Sequence, residues 1–214
     1  MLVFSKEKLV FLSVPKTGST AYQDALAPHA SLVVRDPPEL KHAPVFRYNR
    51  FFRPALEKFC DGPFDIVAVM REPVDWLGSW YRYRARDELR GVRTSTAEIT
   101  FEAFIEGYLA KPRPAFAQVG SQAKFLESQK NGTAVTHLFR YDDQAGLQSF
   151  LDNRLNRPVQ PARRNASPAA PLTLSEGLHD RLRQAFAADF TLYDGISEEG
   201  AYIQPERGTA QPHR

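Results

Sequence analysis

Lys16-Thr17-Gly18-Ser19-Thr20 places an ammonium, a glycine and three hydroxyls within five residues. That set suits the holding of a phosphate-like anion. Lysine is a mobile cation, Ser19 and Thr20 are hydroxyl donors, and Gly18 lets the backbone turn tightly and approach a ligand closely. The six residues Leu9 to Val14 are apolar at five positions and read as a buried parallel strand over about 8–14. A helix follows from about Ser19 to Leu26. Its first-turn N–H groups and its dipole favour negative charge at the loop. The loop is not a Walker A motif, because Lys16 precedes Gly18 by two residues and no Gly-Lys-Ser/Thr occurs.

A second constellation begins at Arg71, just after the apolar run Phe64 to Met70. Ser79 lies eight residues further on, on the second turn of a helix opened by Pro73. A guanidinium matches a phosphate monoester as a planar fork, and a serine hydroxyl completes such a cradle. The plainer reading is an Arg71 ion pair with Glu72 or Asp75 and a solvated serine.

The elements that must position these groups follow from periodicity. Residues 1–7 read as a short lead-in, and 32–34 as a short strand. Residues 35–44, with three prolines, read as an irregular loop. Residues 46–59 have helical spacing interrupted by Pro54. The helix from Pro73 runs to about Arg86, and the charged residues 84–99 read as a mobile loop. Thr100 caps a helix carrying Phe101, Phe104, Ile105 and Tyr108. A weaker helix over 118–129 and a strand over 133–139 follow. Asp142 or Asp143 caps the next helix, and 156–171 form a long connection. Thr173 and Glu176 fit a capping box before a helix striped by Leu178, Leu182, Phe186 and Phe190. Alternating strands and helices favour a parallel sheet flanked by helices, with ligands at the carboxyl ends of its strands. Lys16 and Arg71 both fall there. One domain over 1–196 and a polar, disordered tail over 197–214 are expected.

With 43% hydrophobic and 25% charged residues, the 214-residue chain has the composition of a soluble globular domain with a sizeable core. A net charge of +3 suits an anionic ligand, and without a basic stripe it does not indicate nucleic acid. The single cysteine, Cys60, forms no internal disulfide and closes an apolar face with Phe51, Phe52, Leu56 and Phe59. No apolar run has the length of a membrane span, and the N-terminus does not look like a signal peptide. The expected location is therefore cytoplasmic.

Together, "VPKTGST" and "MREPVDWLGSWY" resemble the two cofactor motifs of the sulfotransferases that use 3′-phosphoadenosine 5′-phosphosulfate (PAPS). The resemblance is closest to the bacterial and Golgi-type carbohydrate branch. Softer similarities, "HLFRYDD" and the segment from Arg163 to Asp194, extend it over about 9–195. The resemblance implies a P-loop-NTPase-like three-layer α/β sandwich with a mostly parallel central sheet. It implies transfer of a sulfuryl group from PAPS to a hydroxyl-bearing small molecule or carbohydrate, leaving 3′,5′-adenosine bisphosphate (PAP), with no metal. By position, Lys16 would contact the 5′-phosphosulfate. Thr17, Gly18, Ser19 and Thr20 would hold the 5′-phosphate, and Arg71 and Ser79 the 3′-phosphate. Residues Arg163, Arg164, Asn165 and Ser167 would close over the cofactor, although the closing motif of the phenol and steroid branch is absent.

Acceptor deprotonation requires a base, and of five histidines His42, in "ELKHAPVF", is the candidate. Glu39 is its carboxylate rival. His137 lies inside a strand, His29 and His179 read as solvated helix residues, and His213 is in the tail. Trp76, Trp80 and Tyr83 read as core, with adenine stacking as the other use of such rings. Two other functions are open. One is a P-loop-like kinase or nucleotide hydrolase. The other is an inactive relative that binds an anion or glycan.

Overall fold

The computed structural model describes residues 1–161 and 172–197. The segment around Arg163 to Ser167, His213 and nearly all of the expected tail lie outside the described residues.

Three apolar residues suffice for the first strand. Leu2–Phe4 (β1) is wholly buried and turns back through Ser5 to Lys8 onto Leu9–Phe11 (β2). This overturns the reading of residues 1–7 as a lead-in, because so short a strand carries no readable period. Helix α1 spans Ser19–Leu26 and is followed by a short β3, Leu32–Val33. The expected loop after it contains a single helical turn, Pro38–Lys41 (α2), opened by proline at its first position. A continuous helical run then covers 45–59: Val45–Arg47 (α3), a π turn at Tyr48–Phe52, and Arg53–Phe59 (α4). Pro54 cannot donate to the preceding turn, and the wider π turn just before it absorbs that interruption.

Next come Asp65–Met70 (β4), Pro73–Arg84 (α5) and Phe101–Leu109 (α6). The Glu72 carboxylate caps α5, accepting from the Asp75 amide at 2.7 Å. The loop expected to be mobile between α5 and α6 is exposed over most of 86–93 and anchored near its far end. Thr96 is buried and donates its hydroxyl to the Tyr81 carbonyl at 2.7 Å. The weaker helix shrinks to Gln122–Phe125 (α7). His137–Arg140 (β5) starts four residues later than expected, and Gln144–Leu155 (α8) is capped by Asp143. Last are Glu176–Ala185 (α9) and Ala187–Asp194 (α10). The expected capping box is not formed. Ser175, not Thr173, precedes α9, and its amide donates to Glu102. The single striped helix is broken at Phe186.

The architecture is α/β, a five-stranded mixed sheet in the order β3-β1-β2-β4-β5 flanked by helices. β1 is antiparallel to both its neighbours, whereas β2/β4 and β4/β5 are parallel. Alternating side chains feed two cores. Val10, Leu12, Ala68 and Leu138 pack with Val45 and Tyr48 on one face. Phe11, Val67, Val69 and Phe139 pack with α1 and α8 on the other. A third apolar cluster joins α5, α6, α9 and α10. Among the described residues, no helix is long and apolar enough to cross a membrane.

Candidate functional site

The candidate site forms where β2 and β4, neighbours and parallel, both end. After β2 the Leu12 amide still pairs with the Val67 carbonyl, and the chain then leaves the sheet through Val14 and Pro15. Lys16 and Gly18 both take left-handed backbone conformations, at φ 67° and 71°. For glycine this is ordinary, but for lysine it costs energy and marks a loop held by its surroundings. The Thr17 and Ser19 side chains are buried and donate to the Val14 carbonyl at 2.9 and 3.4 Å. Their hydroxyls therefore shape the loop, and what they offer a ligand is their amides. Gly18 and Thr20 face solvent. No side chain caps the start of α1; the Ala21 amide donates to the Gly18 carbonyl at 3.1 Å, which leaves the Ser19 and Thr20 amides for a ligand.

Two side chains from the β4–α5 junction clamp this loop. The Trp76 indole donates to the Pro15 carbonyl at 2.9 Å, and Arg71 Nη1 donates to the Lys16 carbonyl at 3.3 Å. Arg71 Nε also pairs with Asp75, and the guanidinium lies 4.4 Å over the Tyr141 ring just past β5. The same ring approaches Gly18, where a Cβ would come within 3.1 Å of it. Arg71 is in turn fixed by Gln122, which is fully buried. Gln122 accepts from the Arg71 amide at 3.0 Å and donates to its carbonyl at 2.7 Å. Behind Gln122, the buried Asp189 carboxylate accepts from Ser121 Oγ and from the Gln122 and Ala123 amides. Ser79 lies on the second turn of α5, as expected, and is buried there rather than solvated.

The Lys16 ammonium lies 4.1 Å from the Tyr83 ring centre and 5.6 Å from that of Trp80. Among the described residues no carboxylate pairs with it. Burial first, then the neighbouring Arg86, Arg71 and Arg82, lower its pKa to about 8. Asp75 is shared by Arg71 and Arg82, so one carboxylate faces two guanidiniums and the surroundings stay positive. Trp80 and Tyr83, expected in the core, are half-buried and flank the lysine.

His42 ends α2 and comes to the same place. Its Nδ1 lies 2.7 Å from the Ser13 carbonyl, three residues before Lys16. A carbonyl only accepts, so Nδ1 carries the hydrogen and a neutral ring has its lone pair on Nε2. Burial dominates the His42 titration and holds its pKa below the ordinary value. The Ser13 bond opposes this, and Lys41, the N-terminal amine and Lys16 reinforce it. Glu39 is exposed on α2, and only its carbonyl is engaged, by Arg47. His137 bonds Thr136 and packs on Phe150, His29 contacts Arg157, and His179 packs edge-on against Phe190. None of these three shares an interaction with Lys16 or Arg71.

A cavity of about 480 Å³ lies at the other end of the sheet, lined by Tyr48, Arg53, Glu57, Asp65 and Thr136. Its polar groups satisfy one another. Arg53 pairs with Glu57, and Asn49 Oδ1 accepts from Arg53, Asn131 and Thr133. Among the described residues, unpartnered buried donors beside Lys16 include Trp80 Nε1 and Arg82 Nε, so chemistry rather than void size locates the site.

Sequence reasoning singled out Lys16, Thr17, Gly18, Ser19, Thr20, Arg71, Ser79 and His42, but not Gln122, Tyr141, Asp189 or the loop-clamping role of Trp76. No local motif carries these, because they meet the site through long-range contacts. No protein-family model matches the chain, and it matches no curated protein and no solved structure.

Proposed function

We propose that the protein is a PAPS-dependent sulfotransferase acting on a hydroxyl acceptor, with a carbohydrate as one acceptor class. The sheet with helices against both faces is assigned as the P-loop-NTPase-like three-layer sandwich of such enzymes. The observation that carries the reading is the convergence of Lys16, the uncapped Ser19 and Thr20 amides of α1 and Arg71 at adjacent parallel strand ends. The surround is cationic and includes Arg82 and Arg86. That donor set fits a ligand with two separate anionic groups. The amides of Thr17 to Thr20 hold a 5′-phosphate, and Arg71 with Ser79 holds a 3′-phosphate. Arg71 retains its Nη2 edge for this beyond its bonds to Asp75 and Lys16.

PAPS supplies an activated sulfuryl group whose transfer needs in-line positioning and charge stabilisation more than covalent help. Lys16 stabilises negative charge on the departing oxygen. His42 Nε2 takes the acceptor proton while its Nδ1–H stays on the Ser13 carbonyl. None of these steps calls on a metal.

Calorimetric titration with PAP in EDTA, beside ATP with and without Mg²⁺, tests the reading. Micromolar PAP binding without metal and much weaker ATP binding is the expected result. Absence of PAP binding, or ATP binding that requires Mg²⁺, replaces it with a kinase or nucleotide hydrolase. PAP binding without turnover on any acceptor replaces it with an inactive anion- or glycan-binding relative.

A further inference from the structure

The helical run 45–59 has two apolar faces. Its inner face, Val45, Tyr48, Phe52 and Leu56, packs into the sheet core with Cys60 at its end. Phe51 and Phe59, expected on that same face, point outward instead and are 59% and 79% exposed. With Phe46 they make three of the five exposed large hydrophobic residues among those described, all within one stretch of helix. The π turn contributes to this. The wider turn shifts the angular phase of the helix beyond it, so Phe51, Ala55 and Phe59 continue as an i, i+4, i+8 stripe in solvent.

The flanks of the stripe are cationic. Arg47, Arg50 and Lys58 lie over the rings of Phe46, Phe51 and Phe59 at 5.5, 5.4 and 5.5 Å. The one acid inside the run, Glu57, is neutralised by Arg53 at 2.9 Å. An exposed apolar stripe rimmed by charge marks an interaction surface. Its composition selects the partner. Phenylalanine has no polar handle, and lysine, which here rests on Phe59, is depleted at protein–protein interfaces. Phenylalanine beside lysine and arginine is the make-up of helices that lie in the plane of a membrane interface. A cation resting on each ring can lift to a lipid phosphate as the ring enters the acyl boundary.

We propose that the outer face of residues 46–59 docks on an anionic lipid bilayer. The membrane is met at its surface and is not spanned. The docking is independent of the activity proposed above.

The test is co-sedimentation of the full chain with phosphatidylcholine vesicles that contain or lack phosphatidylserine, in low and high salt. Binding is expected to the anionic vesicles, to weaken in high salt, and to fall at least about tenfold in Phe51→Ser/Phe59→Ser and in Arg50→Glu/Lys58→Glu. All four side chains are exposed and outside the core, so unchanged thermal unfolding should accompany the loss. No binding to anionic vesicles overturns the proposal, as does equal binding to neutral ones or binding that both double variants retain. A Phe59-dependent dimer in sedimentation without vesicle binding assigns the face to a second copy of the chain instead.

Discussion

Gln122 holds Arg71 by both ends, accepting from its amide and donating to its carbonyl, although 51 residues separate them. Gln122 is itself held by Asp189 through its own amide. The guanidinium that reaches the Lys16 carbonyl therefore starts from a fixed backbone. Replacement by leucine removes both bonds and leaves two buried backbone groups unpaired, at about 1–3 kcal/mol each. Gln122→Leu is expected to lower thermal stability and weaken PAP binding at least about tenfold, through displacement of Arg71. Arg71→Ala removes about 2–3 kcal/mol of PAP affinity directly. Calorimetry on both variants checks this, and wild-type PAP affinity in Gln122→Leu would show that Arg71 needs no such support.

Lys16 occupies a backbone conformation that glycine adopts freely. Lys16→Gly should therefore raise the unfolding free energy, by up to about 1 kcal/mol, while transfer falls by about 10²–10³-fold or more. Opposite signs in stability and activity mark a residue kept for chemistry. A variant that is both less stable and still active would refute the assignment.

The two shifted groups set a pH window for activity. Lys16, lowered to about 8, loses its charge above that pH in the free protein, so kcat/KM should fall on the alkaline side near 8. Bound phosphates favour the ammonium, so PAP binding near pH 8.5 should take up a proton, read as buffer-dependent binding enthalpy. His42, lowered below its ordinary value, stays neutral below pH 6.5, and the acidic limb should lie there. For stability the sign is set by proton counts. Between the folded and unfolded pKa values of His42 the unfolded chain binds more protons, so its contribution is lost as pH falls below about 6.5. His42→Gln should remove that increment of acid sensitivity.

His42→Gln should also lower kcat about 10²–10⁴-fold with PAP affinity unchanged, and Glu39→Gln should leave kcat near wild type. The reverse pattern would move the base to the carboxylate.

Gly18→Ala places a side chain at positive φ and a Cβ 3.1 Å from Tyr141. The expected loss is about 1–2 kcal/mol, lowering Tm by several degrees. Because Tyr141 also carries Arg71, PAP binding should weaken as well. Unchanged PAP affinity in a destabilised Gly18→Ala protein would separate the ring from the site.

Local features are the ones legible in the sequence. Lys16, Gly18 and Arg71 adjoin strands whose apolar runs are plain, and Asp143 or Thr100 before a helix announces itself as a cap. β1 is hidden because Leu2-Val3-Phe4 is buried on both faces and too short for a period. Its antiparallel pairings, and so the mixed character of the sheet, are hidden with it. The spacing in 46–59 marks a helix but implies one apolar face where there are two, since the phase shift of a π turn leaves no trace in the spacing itself. Gln122 and Asp189 act from 51 and 67 residues beyond their partners, a distance at which single-sequence patterns are silent.

Trp76 and Arg71 each take a carbonyl of the loop, those of Pro15 and Lys16. A peptide unit is planar and trans, so its C=O and N–H point in opposite directions. Pinning these two oxygens toward α5 aims the N–H groups of Lys16 and Thr17 away from it. It also denies both peptide planes the flip that would turn an oxygen toward an incoming anion. The loop is thus polarised before any ligand arrives, and an anion meets hydrogen where an unclamped turn could also show it oxygen.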